Sequence, residues 1–336
     1  MRTILKRLAI LPILALILFS CKNSDIVLKP SISGKAGEVI IVTNKGHWEA
    51  EPGSMLRTIL ASDYPYLPQR EPSFNLINIG ERDFTTIFQI HRNILMLKID
   101  PQYTKPKMVT KEDIWAAPQT VITITAPSEE AATKFLDKQK GLLFNTINQA
   151  ERNRVIKNSR RYEAKAIRTA VTREFGGSPY FPKGYSIKKD SDNFIWISYE
   201  TTYTNQGIFI YKIPYVDSTS LELSNILTVQ NNILEQNVPG MIENSYMTIN
   251  MSAEQYPHLE WLKYRNRDLG EIRGFWEVQN DFMGGPFISH VFYDKSGENI
   301  IVIQGFVYAP RFDKRNYLRQ VESIMYSFEW EENFNK

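Results

Sequence analysis

His47, His91, His258 and His290 are the chain's only histidines, and with its acids and serines they are where chemistry would have to start. No His-x-His or His-Glu-x-x-His spacing occurs, so the histidines offer no metal signature. His47, in "NKGHWEA", follows a β-branched run, and loops that leave strands are where ligands are often met. Glu49 and Glu51 stand close enough in sequence to orient it as a base. His91 and His290 fall inside strand-like runs and read as structural. Gly-x-Ser-x-Gly is absent, and Ser178 in "FGGSPY" lacks the strand-turn-helix context of a nucleophile elbow. "SGKAGE" has no phosphate-loop spacing. Glu129 and Glu130 read as acids favourable at a helix N-terminus rather than an acid/base pair. The residues therefore predict a protein without catalysis, metal or cofactor. A hydrolase assembled from distant residues around His47, Glu49 and Glu51 is the alternative.

Cys21 is the only cysteine. Before it come "MRTILKR", with Arg2, Lys6 and Arg7, and the uncharged run "LAILPILALILF". A basic start, a short apolar run and a small residue make a secretory signal. The run is shorter than the ~20 residues a spanning helix needs. Leu18-Phe19-Ser20-Cys21 resembles the lipobox of bacterial lipoproteins. That resemblance implies cleavage before Cys21 and a thioether-linked diacylglyceryl group on its sulfur. Each buried CH₂ contributes about 0.8 kcal/mol, so two or three acyl chains would hold the protein on a membrane. Lys22 is not the aspartate associated with inner-membrane retention, which favours the outer membrane. Which face the body occupies is left open.

The formal net charge is +3, and three basic residues belong to the signal, so the body is near neutral and gives no reason to expect nucleic acid. One stretch departs from that balance: Arg152, Arg154, Arg160, Arg161 and Arg168, with Lys157 and Lys165, lie in a helical pattern. Arginine binds phosphates through paired contacts, so this face is a candidate for an anionic membrane surface; a solvated, salt-bridged helix face is the plainer reading. "RGFWEVQNDFMGGPF" gathers Phe275, Trp276 and Phe287 around glycines, as either an apolar site or ordinary core.

The elements that must position these residues are read from periodicity. Strands are expected at 38–44, two or three within 74–100, and one at 120–127. A helix starting at an N-cap Ser54 should lie between the first two. A long helical stretch runs from Ser128 to Phe175, with breaks expected near Gly141 or Asn158-Ser159. Further on come a hairpin turning at 190–193, a strand at 207–215, a helix at 221–238, a strand at 245–251, a hairpin turning at 295–298, and a last helix with Asp313 as N-cap. The predicted class is α+β: two antiparallel-sheet-plus-helix units joined by long helical segments. The predicted domains are a signal peptide (1–20), a tether (21–36), an N-terminal α+β unit (37–160) and a C-terminal α+β unit (161–332).

Cys21, "EVIIVTNKGHWE", "GGSPYFPKGY" and "GFVYAPRFDKRNYLRQVESIMYSFEW" resemble a family of Bacteroidota lipoproteins described only as a domain of unknown function. The order of elements over 181–330 is more distantly similar to Mog1/PsbP-type modules. That second likeness implies an antiparallel sheet flanked by helices, acting in binding or assembly. Together they imply a lipid-anchored cell-envelope binding or assembly module, whose partners are the membrane and an envelope protein or lipid. Carriage of an apolar ligand is a further alternative.

Overall fold

The computed structural model describes residues 28–334; the signal run and Cys21 lie outside the described residues. The class is α+β. Part of the expected tether is docked: Ser31 bridges Ala117 and Ser33 bridges His91.

In the first unit, β1 (Glu38–Val42) is apolar at every position after the first and is buried on both faces. Val39 and Ile41 meet one layer, Ile40 and Val42 the other. Such continuous burial belongs to a strand inside a parallel sheet. α1 (Lys45–Glu49) follows directly, capped by the Asn44 side chain, which accepts the His47 N–H at 2.9 Å. α2 (Glu51–Leu60) begins before Ser54, because Pro52 sits in its first turn with a preset φ. β2 (Asn75–Ile79), α3 (Thr86–Gln89), β3 (Asn93–Ile99), β4 (Lys107–Glu112) and β5 (Thr120–Ala126) complete the sheet, in the order β2-β1-β3-β5-β4. All pairings are parallel except β4 with β5. The expected antiparallel first unit is thus corrected to a mixed, mostly parallel sheet. The connections through α2 and α3 carry the chain back so that each next strand runs the same way.

The long helical stretch is three helices: α4 (Glu129–Lys138), α5 (Lys140–Arg161) and α6 (Lys165–Phe175). The first break falls at Gln139. The second lies at 162–164, not at Asn158-Ser159, where a buried Ser159 continues the helix. Its cause is distant in sequence. The Phe181 carbonyl takes the Ala164 N–H at 2.8 Å, and the Tyr162 carbonyl takes the Lys183 N–H at 2.8 Å, so the helical bonds are replaced. α6 stops at Gly176, with φ +71°, the left-handed conformation that suits a glycine C-cap.

The second unit contains β6 (Gly177–Ser178), β7 (Ser186–Ser191), β8 (Phe194–Glu200), β9 (Asn205–Pro214), α7 (Leu223–Asn237), β10 (Tyr246–Ile249), β11 (His258–Tyr264), β12 (Arg267–Gln279), β13 (Gly284–Tyr293), β14 (Asn299–Tyr308), α8 (Arg315–Tyr326) and β15 (Glu329–Trp330). Eight strands form one antiparallel sheet, β10-β12-β13-β14-β9-β8-β7, with β11 also on β12. The period of two sends alternate residues to opposite faces. Phe209, Tyr211 and Trp276 pack under α7; Ile208, Ile210 and Ile288 pack under α6 and α8. β11 and β12, read from sequence only as an aromatic stretch, are a hairpin turning through Arg265 and Asn266, at φ +49° and +62°. α8 is not capped by Asp313. The carboxylate of Glu71, from the first unit, accepts the N–H of Lys314 at 2.6 Å and of Arg315 at 2.9 Å.

Candidate functional site

A groove of about 620 Å³ lies where the units meet. One wall is α5, whose Leu142, Asn145, Gln149 and Arg152 recur at helical spacing; the other is the end of β11, with Lys263 and Tyr264. Tyr326 of α8 forms the floor, and the Arg152 guanidinium lies 3.6 Å above its ring.

Beneath that floor is a buried set of charges. Glu322 of α8 accepts from the Tyr64 hydroxyl at 2.7 Å and from Arg152 at 2.7 Å, and its carboxylate is 3.2 Å from Arg273. Glu271 of β12 accepts from Arg273 at 2.7 Å and from the Tyr326 hydroxyl at 2.6 Å. Burial, the largest single influence, raises both carboxyls, but Arg273 together with Arg152 and Tyr64 at Glu322, and with His290 and Tyr326 at Glu271, more than offsets it. Both end below the usual carboxylate range. Burial holds His290 below the ordinary histidine value even though Glu271 favours its charge; its Nε2 is 3.5 Å from Glu271. Burial, then Glu271, raises Tyr326.

Two carboxylates meet two guanidiniums, so the set is internally neutral. Acids held ionised and sealed under a tyrosine cannot hand a proton to a molecule in the groove. What the groove offers a ligand is three amides, a threonine, a lysine, an arginine edge and two tyrosines, beside the apolar Leu142 and Leu262.

His47 comes together with a carboxylate, though not with Glu49 or Glu51: its Nδ1 is 2.6 Å from Glu129. Glu49 instead pairs with Lys45 at 3.6 Å. The His47–Glu129 pair sits past the carboxyl ends of β1 and β5, the edge of a parallel sheet where ligands gather. Among the described residues no cluster of three or more His, Cys, Asp or Glu is arranged to hold a metal.

The five arginines do not share a face. Arg152 turns into the buried set. Arg154 turns the other way, to Glu151, Asn93 and the Arg92 and Pro118 carbonyls, where burial lowers its pKa to about 10. Arg160 pairs with Glu329, and Arg168 with Glu163 at 3.0 Å. Arg161 is exposed, its guanidinium over the Tyr162 ring. The three aromatics do not converge on a site either. Trp276 and Phe287 are buried under α7, and the Trp276 indole N–H donates to the Val307 carbonyl at 3.2 Å. Phe275, one residue along the strand, faces the other way, 6.2 Å from Tyr66.

The residues beneath the groove match no motif but carry a signal. Glu271 and Arg273 interrupt an apolar strand, and Arg315, Arg319 and Glu322 share the period of Leu318, Val321 and Met325. Charges at core positions are read as paired.

This is a two-unit α+β protein with a groove of mixed polar and apolar lining at the junction. Residues 164–327 match a family model described as "Domain of unknown function (DUF4837)", and residues 32–160 match a second, "Domain of unknown function (DUF8532)". No curated protein matches. Among solved structures, one from Bacteroides thetaiotaomicron VPI-5482 is 10% identical over 47% of this chain and 46% of that one, with a TM-score of 0.27. The Ran-binding protein Mog1p of Saccharomyces cerevisiae is 9% identical over 46% and 90%, TM-score 0.31. The human StarD13 lipid transfer and protein localization domain is 11% identical over 49% and 95%, TM-score 0.22. This chain spans about half the length of the first of these. At such scores the likenesses carry no inference about activity.

Proposed function

We propose that this protein is a cell-envelope binding or assembly module, held to the outer membrane by lipid on Cys21, which takes a ligand or partner segment carrying both polar and apolar groups in the groove without changing it covalently. The observation that supports this reading is the groove itself. It lies at a junction, the common location of binding sites, and its floor is neutralised by the pairs beneath it.

A photo-crosslinking residue at Gln149 in intact cells should give an adduct that Lys134, exposed and remote, does not. Filling the groove by Asn145→Trp should abolish that adduct. Equal adducts from both positions, or an adduct indifferent to Asn145→Trp, would overturn the reading. The anchor has its own test: Cys21→Ser should abolish fatty-acid labelling and release the protein from membranes.

The His47–Glu129 contact of 2.6 Å favours one second reading, a hydrolase using His47 as base. It requires that His47→Ala abolish an ester- or amide-cleaving activity of the purified protein while leaving its fold intact.

A further inference from the structure

The described chain begins beside a basic surface. Ala117 donates its N–H to the Pro30 carbonyl at 2.9 Å, and Ser31 bridges Ala117. Ala117 also lines a hollow of about 350 Å³ with Lys157, Arg161 and Tyr162. Lys183 is tied to the same place by its N–H bond to the Tyr162 carbonyl, and Lys165 opens α6 three residues on. Lys157, Arg161, Lys165 and Lys183 are exposed; among the described residues none forms a close carboxylate ion pair, and only Lys165 is near enough to Glu163 to act on it electrostatically. The nearest acid in sequence, Glu163, is turned inward onto Arg168 with 6% of its side chain exposed. Glu112 and Asp113 line the adjoining hollow, which Lys157 and Arg154 share with them; Asp113 accepts the Gln119 N–H there at 2.7 Å. Tyr162 stands 47% exposed, with the Arg161 guanidinium over its ring and Lys157 in the same hollow, an amphipathic ring suited to a membrane–water boundary.

We propose that this surface docks on the anionic phospholipid headgroups of the membrane that holds the Cys21 lipid. The inference rests on the anchor proposed above. Distance permits it: the chain from Cys21 to Leu28 reaches at most ~25 Å at ~3.6 Å per residue, so a body tethered there is kept within reach of the bilayer. Basic residues near an anionic surface each contribute about 1 kcal/mol, about fivefold in binding. The dock would fix which way the body faces and leave the groove between α5 and β11 free.

The test reconstitutes the full lipidated chain into vesicles of phosphatidylcholine alone or with phosphatidylglycerol, floats them, and labels lysines with acetic anhydride. Lys157, Lys165 and Lys183 should be protected on the anionic vesicles relative to Lys134 and Lys138, and the protection should vanish in about 0.5 M salt as charges are screened. The double variant Lys157→Glu, Arg161→Glu should float unchanged but lose protection at Lys165 and Lys183. Equal labelling on floated neutral and anionic vesicles overturns the dock while sparing the anchor. Failure to float with neutral vesicles overturns the anchor and the dock with it.

Discussion

Glu322 accepts hydrogen bonds from Tyr64 and from Arg152 of α5, and forms an ion pair with Arg273 of β12, so it joins three separate parts of the chain. Removing it leaves Arg152 buried without its counter-charge and Arg273 with Glu271 as its one remaining carboxylate, so Glu322→Ala should destabilise the protein by about 3–5 kcal/mol. Urea unfolding measures this, and a loss under about 1 kcal/mol would refute the network's importance. The same set predicts acid sensitivity. Burial lowers the His290 pKa below its ordinary 6.5, so the unfolded chain takes up that proton first. Stability is therefore full above about pH 6.5 and declines as pH falls below it. Glu271 and Glu322, also lowered, add to the loss once pH drops below the ordinary carboxyl value of 4.5. In His290→Gln, melting temperature should become flat between about pH 5 and 6.5 while still falling below; an unchanged slope there would rule His290 out. In the sequence these residues carry a signal only as charges among apolar core positions, which no motif reports, and pairing across the fold leaves no local trace of their partners.

At the scale of elements, local pattern located β1, β5, β9, α7 and the β13–β14 hairpin closely, since burial on one or both faces writes itself into spacing. It failed where an element's limits are set from afar. β4, "KMVTKE", is a sheet edge with little apolar content, and the break between α5 and α6 is made by residues 181–183. Whether strands pair parallel or antiparallel likewise depends on the path of the connection, not on the strand. The cap of α8 is the sharpest case: Asp313 has the right residue type and place, yet Glu71 supplies both bonds. Glu71→Ala should cost about 1–2 kcal/mol, the usual range for losing a cap. Asp313→Ala should cost less than about 0.5 kcal/mol, as an ordinary surface change does. Thermal melts of the two variants decide it, and reversed magnitudes would restore the local cap.

At the scale of the molecule, the two units are bound through polar contacts that neither sequence half reveals alone. Besides Tyr64 and Arg152 on Glu322, Arg315 donates to the Pro72 carbonyl at 2.5 Å and Arg319 to the Ser73 carbonyl at 2.9 Å. Hydrogen bonds to charged groups contribute about 1.5–3 kcal/mol each, and a domain's whole stability is only about 5–15 kcal/mol. The coupling is thus comparable to what either unit holds by itself, and opening one unit exposes the buried charges of the other. The protein should unfold in one calorimetric transition in which the calorimetric and van't Hoff enthalpies agree. Combining Glu71→Ala with Glu322→Ala removes both the cap and the centre of the network, and should separate the melt into two steps. Two resolved transitions in the unaltered protein would mean that the units fold independently, and the groove between them would lose the rigid floor that binding requires.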